Sequence, residues 1–242
     1  MNDAQLAAHL AQDAGRILMA VRDSGRHHGA ALGRAGDAEA NALLVRALRD
    51  LRPGDGLLSE EESDSAARLG NRRVWIVDPL DGTREYAEGR EDWAVHVALA
   101  VDGAAAVGAV ALPALGLVLR SDVPLPRPPA SARPRIVISR SRPPAEALAV
   151  ADGLGAEVIE MGSAGAKAMA VVRGEADIYL HSGGQHQWDN CAPVAVALAQ
   201  GLHCSRLDGE PLEYNGAATA LPDLLICAQQ FAPAVIALAA AA

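Results

Sequence analysis

The chain has 242 residues, 50% of them apolar, 21% charged and 3% aromatic, with a net charge of -9. That apolar share can fill one large domain or two modest ones, and charges spread without a long single-sign run exclude a disordered tail or a basic arm. The acidic balance excludes general nucleic-acid binding, which needs an excess of Lys and Arg, so an anionic ligand would require a local cation such as a metal ion held by carboxylates.

Leu6, Leu10, Ile17, Leu18 and Val21 recur at helical spacing, as do Leu43, Leu44, Ala47, Leu48 and Leu51, which predicts two opening helices. Val74 to Val77, Trp93 to Val101, Val107 to Leu112 and Leu117 to Arg120 are apolar or alternating runs separated by Gly, Pro or Asp, and predict strands of a mainly antiparallel sheet. Asp122 to Pro134 holds five prolines and is the expected boundary between an N-terminal α+β unit, residues 1–122, and a C-terminal α/β unit, residues 134–242. In the second unit strands are predicted at Arg135 to Ser139, Val158 to Met161, Ile178 to His181 and Leu224 to Ala228, alternating with helices at Ala145 to Leu154, Ala164 to Arg173 and Asn190 to Gln200.

Cys191, Cys204 and Cys227 are odd in number, far apart and without CxxC spacing, as expected of reduced thiols in a cytoplasmic protein. Asp3, His9, Asp13 and Arg16 interrupt any signal-peptide core, and the apolar tail from Phe231 is too short to span a bilayer. No membrane association is expected.

The apolar run Trp75-Ile76-Val77 stops at Asp78-Pro79-Leu80-Asp81-Gly82-Thr83, where two carboxylates, a rigid residue and a glycine fall within six positions. Pro79 fixes φ and Gly82 frees the backbone, so the segment reads as a turn that aims both carboxylates at one point. Two such carboxylates repel unless a cation or proton intervenes, and an all-oxygen set suits Mg²⁺. The Gly82 and Thr83 amides could add an anion nest. Glu60 and Glu61, after the apolar Leu57-Leu58, could reach the same metal or be solvated charges, as Glu62 is expected to be. Asp189 reads as a further ligand or as a helix N-cap. Asp37 reads as an N-cap of the second helix.

Ser59-Glu60-Glu61, Trp75 through Thr83 and Trp188-Asp189 resemble, in order and separation, the signature segments of the inositol-monophosphatase superfamily. The resemblance covers nearly the whole chain and implies a five-layer αβαβα fold, of the kind shared with fructose-1,6-bisphosphatase. It implies two or three Mg²⁺ ions: one on Glu60, Asp78 and the Leu80 carbonyl, one on Asp78, Asp81 and Asp189, and a weaker one near Glu60. It further implies that Asp37 or Glu61 acts with Thr83 to orient the attacking water, that lithium inhibits, and that the chain forms a homodimer.

Within the superfamily, Leu58-Ser59-Glu60-Glu61, Thr83-Arg84-Glu85-Tyr86, Ser139-Arg140-Ser141 and Gly162-Ser163 with Lys167 are similar to the CysQ-type 3′(2′),5′-bisphosphate nucleotidases. Ala164-Gly165 departs from that pattern. The implied substrate is a small phosphomonoester, 3′-phosphoadenosine 5′-phosphate, a by-product of sulfate assimilation, hydrolysed at its 3′-phosphate. Glu60, Leu80, Asp81, Gly82, Thr83 and Asp189 would surround that phosphate, while Arg140, Lys167 and the helix start at Gly162-Ser163 could meet the distal one. Lys167 is the only lysine beside twenty arginines. The alternatives are an inositol or fructose bisphosphate phosphatase on the same scaffold, and a catalytically silent nucleotide or metal sensor.

Overall fold

The computed structural model describes residues 1–126 and 133–242. Helix α1 spans Asp3–Asp23 and begins in a capping box, in which Asn2 accepts from the Gln5 amide at 2.8 Å and Gln5 returns the bond, satisfying donors the helix start would otherwise leave open. Its buried stripe mixes Leu6, Leu10 and Leu18 with Ala7, Ala11 and Ala14, small enough to let helix α2, Ala30–Leu51, lie close.

Both helices cover one face of a sheet ordered β1 (Gly56–Ser59), β2 (Arg73–Asp81), β3 (Ala94–Val101), β4 (Ala104–Leu112) and β5 (Leu117–Arg120). Only β1 and β2 run parallel; the other neighbours are antiparallel. Trp75, Val77, Val95, Val97 and Leu99 point to α1 and α2, whereas Val74, Ile76, Ala98, Ala100 and Val110 point the other way into a second core. Burial on both faces is why β2 and β3 are apolar at nearly every position rather than at alternate ones. Each fully buried aliphatic such as Leu99 contributes about 1.5–3 kcal/mol.

The second core is closed by α5 (Ala164–Val172) and α6 (Gln187–Ala199), which lie between this sheet and another. That other sheet is ordered β7 (Glu157–Met161), β6 (Arg135–Ser139), β8 (Ile178–His186), β10 (Ala220–Cys227) and β9 (His203–Ser205). Val137, Tyr179, Leu224 and Ile226 face the central helices. Ile136, Ile138, Leu180 and Leu225 face α4 (Ala145–Leu154) and α7 (Ala232–Ala239). The five layers, αβαβα, are those expected. Of the proline-rich segment read as a domain boundary, residues 127–132 lie outside the described residues.

Three local expectations change. Helix α2 starts at Ala30, so Asp37 is inside it and is not an N-cap. Asp78 through Asp81 do not form a turn but continue β2. His181 through His186 belong to β8, and α6 begins at Gln187, which puts Asp189 within its first turn. The described residues contain no helix long and apolar enough to cross a membrane.

Candidate active site and metal centre

The parallel pairing of β1 with β2 sets Ser59 opposite Val77, and the Glu60 amide donates to the Val77 carbonyl at 3.3 Å. Glu60 is thereby placed beside Asp78. On the other edge of β2, Asp78 pairs with His96 but Asp81 pairs with Ala94, so three steps on one strand match two on the next. Residues three apart in a regular strand face opposite sides; this bulge resets the alternation and turns Asp78 and Asp81 to the same side. Pro79 sits in the bulge, where a missing N–H removes no ladder bond. Gly82 follows at φ 88°, a left-handed conformation that glycine adopts without strain, and it starts the short helix α3, Thr83–Ala87.

Asp189 completes the cluster from α6. Its Oδ2 accepts from the His186 amide at 2.5 Å in a reciprocal cap. One carboxylate oxygen from each of Asp78, Asp81 and Asp189 lies within 4.8 Å of the others. Oδ1 of Asp78 accepts from the Leu80 amide at 3.0 Å, while its buried Oδ2 finds no hydrogen-bond partner among the described residues. A buried carboxylate oxygen without a donor is costly, and a hard cation among three such groups supplies what is missing. The donor set therefore fits a metal ion.

The electrostatics agree. Burial first, then the charges of Glu60, Asp81, Asp189 and Asp37, hold the Asp78 carboxyl well above the usual carboxylate range. Burial and Asp81 push Asp189 up to about 7, and Glu60, although exposed as a residue, is raised by desolvation of its carboxyl and by the charges of Asp81 and Glu61. Asp81 is the exception. Burial opposes its charge, but His96, Ser163 and the Gly165 amide outweigh it and bring Asp81 down to about 2. Ser163 Oγ donates to Asp81 at 2.5 Å, and the Gly165 and Ala164 amides donate at 2.6 and 3.2 Å. The amides at the start of α5, expected to meet a distal phosphate, are thus given to a carboxylate ligand.

Asp37 reaches the site from α2. Its Oδ2 is 3.4 Å from Thr83 Oγ1, which is also 3.2 Å from the Leu80 carbonyl. Burial, then Glu61 and Glu60, push Asp37 up to about 8. Glu61 is exposed just past β1.

A cleft of about 380 Å³ opens from this cluster. It is lined by Asp81, Gly82, Thr83, Asp189, Gly162, Ser163 and Lys167, all anticipated from the sequence. Lys167 is buried, with Nζ donating to the carbonyls of Gly162, at 3.1 Å, and Ser163. Burial brings it down to about 8. Arg140 is not brought to the cleft: its guanidinium pairs with Glu85 and Glu88, each at 2.7 Å. Arg142 and Arg84 line the cleft instead, and neither forms an ion pair among the described residues. His181 also lines it, and its Nδ1 is buried without a hydrogen-bond partner among the described residues. The sequence signal for Arg142 was its position two residues beyond Arg140, in the loop that leaves the carboxyl end of β6.

A bulged strand presenting paired aspartates, a third aspartate on a helix start and a threonine–aspartate pair beside a cleft define the site of a metal-dependent phosphatase. The chain belongs to the inositol monophosphatase family, whose model matches residues 3–122 and 132–240. It is 49% identical over 235 residues to the 3′-phosphoadenosine 5′-phosphate phosphatase of Mycobacterium bovis, covering 93% of this chain and 88% of the relative. It is 31% identical to the 3′(2′),5′-bisphosphate nucleotidase CysQ of Escherichia coli, over 75% of this chain and 78% of that one. Among solved structures, CysQ from Bacteroides thetaiotaomicron superposes with a TM-score of 0.80 at 24% identity, covering 94% of this chain and 97% of the other; this likeness shows the fold.

Proposed function

We propose that this protein removes the 3′-phosphate of 3′-phosphoadenosine 5′-phosphate, releasing adenosine 5′-phosphate and inorganic phosphate. The observation that carries the reading is a single cleft lined both by metal-competent carboxylates, Asp81 and Asp189 with Asp78 beside them, and by the cations Arg84, Arg142 and Lys167. A substrate with two phosphates needs both kinds of wall. The names of the relatives at 49% and 31% identity support the same substrate.

Mg²⁺ is the proposed ion, two or three per chain, because every donor is oxygen. Asp78, Asp81 and Asp189 would hold one ion, and Glu60, Asp78 and the Leu80 carbonyl another. When bound, such ions lower the pKa of water and stabilise the charge on phosphate and leaving group. The chain's own residues do the positioning. Thr83 Oγ1, held between Asp37 and the Leu80 carbonyl, would orient the attacking water. Asp37, which the metal-free site holds up at about 8 and therefore protonated, would take a proton only once bound cations bring its pKa down; Glu61 is the alternative acceptor. Gly82 and Thr83 line the cleft and offer backbone amides to the scissile phosphate. Arg142 and Arg84 would hold the distal phosphate by charge-assisted hydrogen bonds.

The proposal includes a cytoplasmic setting, in keeping with three free thiols, and a homodimer, which light scattering on the purified protein would check. The function is tested by phosphate release from the nucleotide, inositol 1-phosphate and fructose 1,6-bisphosphate across a Mg²⁺ titration. Preference for the nucleotide is expected; equal or greater efficiency on either of the others would refute it.

A further inference from the structure

Arg68 lies outside the cleft, yet its guanidinium is almost entirely shut off from solvent, with 2% of the side chain exposed. It is fully engaged. Nε and Nη2 fork onto Asp64 at 2.7 and 2.8 Å, and Nη1 donates to Asn215 Oδ1 at 2.9 Å and to the Gly216 carbonyl at 3.1 Å. Asn215 answers by donating Nδ2 to the Arg68 and Asn71 carbonyls at 3.2 and 3.3 Å, from a backbone held at φ 61°. A buried fork of this kind fixes direction as well as distance, which a lysine could not do.

The two segments joined in this way carry opposite sides of the site. Asp64 ends the stretch that begins with Ser59, Glu60 and Glu61. At its start that stretch is pinned by Ser59 Oγ donating to Asn41 at 2.7 Å, further along Asn41 and Arg49 donate to Glu62 at 3.2 and 3.1 Å, and Arg68 supplies the anchor at its far end. Residues 215–219 in turn grip the first turn of α6: the Asn215 amide donates to Gln187 Oε1 at 2.6 Å, Gln187 Nε2 donates to the Gly216 and Ala218 carbonyls, and the Gln187 amide donates to Thr219. Asp189 is two residues along that turn.

We propose that Arg68 is a positioning residue for the metal centre, setting Glu60 and Glu61 relative to Asp189 by clamping Asp64 to the Asn215 loop. The idea rests on the metal-dependent reading above. A fixed separation matters because Mg²⁺ demands near-ideal octahedral geometry and binds poorly to donors that wander. Loss of the clamp removes none of the carboxylates proposed to hold the metal but lets the two sides that carry them drift.

The test is calorimetric titration of Mg²⁺ into metal-free wild type, Arg68→Met and Asp64→Asn, with the Mg²⁺ concentration for half-maximal activity measured alongside KM at saturating Mg²⁺. Both variants are expected to bind Mg²⁺ about tenfold or more weakly, with the activation curve displaced equally and KM for the nucleotide unchanged. Asp64, 36% exposed, tolerates substitution better than the buried arginine and decides the matter if Arg68→Met does not fold. Unchanged Mg²⁺ affinity in folded Asp64→Asn would overturn the role given to Arg68. Failure of the wild type to bind Mg²⁺ would instead overturn the metal-centre reading beneath it.

Discussion

His96 Nε2 lies 3.3 Å from Asp81 Oδ2, with both side chains buried. The other ring nitrogen, Nδ1, is 2.9 Å from the Trp188 carbonyl, which can only accept. Nδ1 therefore carries a proton, and Nε2, which makes no hydrogen bond among the described residues, meets the carboxylate as an ion pair when it is protonated too. Burial opposes that charge, but Asp81 outweighs it and raises the His96 pKa. One imidazolium thus ties Asp81 to the residue preceding Asp189. Removing one partner of a buried pair typically costs about 3 kcal/mol or more. His96→Leu is accordingly expected to lower the unfolding free energy of the metal-free protein by about that amount, with Mg²⁺ restoring part of it. Urea titrations with and without Mg²⁺ check this.

Asp189→Asn removes one of the carboxylates proposed to hold the metal while keeping the side-chain volume. Disturbing a group that merely orients a ligand costs about 10- to 100-fold in metal affinity or activity, so loss of the ligand itself should reach at least the upper end. Circular dichroism should be unchanged while Mg²⁺-dependent turnover falls by about 100-fold or more. Near wild-type turnover would show that Asp189 holds no essential ion.

Acid–base linkage gives a third expectation. Asp189 at about 7, Asp37 at about 8 and Asp78 above the ordinary range keep protons in the folded, metal-free chain that the unfolded chain has already released. The folded state then binds more protons, so its stability falls as pH rises from above the unfolded carboxylate range through about 7 to 8. Metal-free protein should melt at a lower temperature at pH 8 than at pH 6. Mg²⁺ should bind more tightly at the higher pH and release protons. A melting temperature that is flat with pH in the absence of metal would contradict this.

Specificity should reside in Arg142 and Arg84 rather than Arg140. A lost charge-assisted contact costs roughly 1.5–3 kcal/mol, or about one to two powers of ten. Arg142→Ala should lower kcat/KM for the bisphosphorylated nucleotide by that factor relative to inositol 1-phosphate, and Arg140→Ala should change the ratio little. Equal losses on both substrates would remove Arg142 from the distal-phosphate site.

Much of this site was legible because its donors sit in short local segments. The apolar run into Asp78-Pro79-Leu80-Asp81 located the centre, and Trp188-Asp189 located its third carboxylate. The bulge was not legible: proline and two aspartates read as a turn, and only pairing with β3 keeps them in the strand. The start of α2 was missed for a related reason. The apolar spacing announces that helix only from Leu43 onward, whereas Gly33 in its first turns is a contact position: a Cβ there would come within 2.4 Å of Thr83 Cγ2, so the glycine is what lets α2 bring Asp37 to Thr83. The partners of Arg140, Glu85 and Glu88, are more than fifty residues away in the chain, and nothing in the local pattern announces such a pairing. The Arg68 clamp has the same character, joining positions 147 and 148 residues apart.

The central claim is that the carboxylate centre acts on the 3′-phosphate while the cations hold the 5′-phosphate. Chromatographic identification of the nucleotide formed from 3′-phosphoadenosine 5′-phosphate with Mg²⁺ tests both halves at once. Adenosine 5′-phosphate with one equivalent of inorganic phosphate is the predicted outcome, abolished by chelator and restored by Mg²⁺. Adenosine 3′-phosphate as product, or no Mg²⁺-dependent turnover of this nucleotide, would contradict the account.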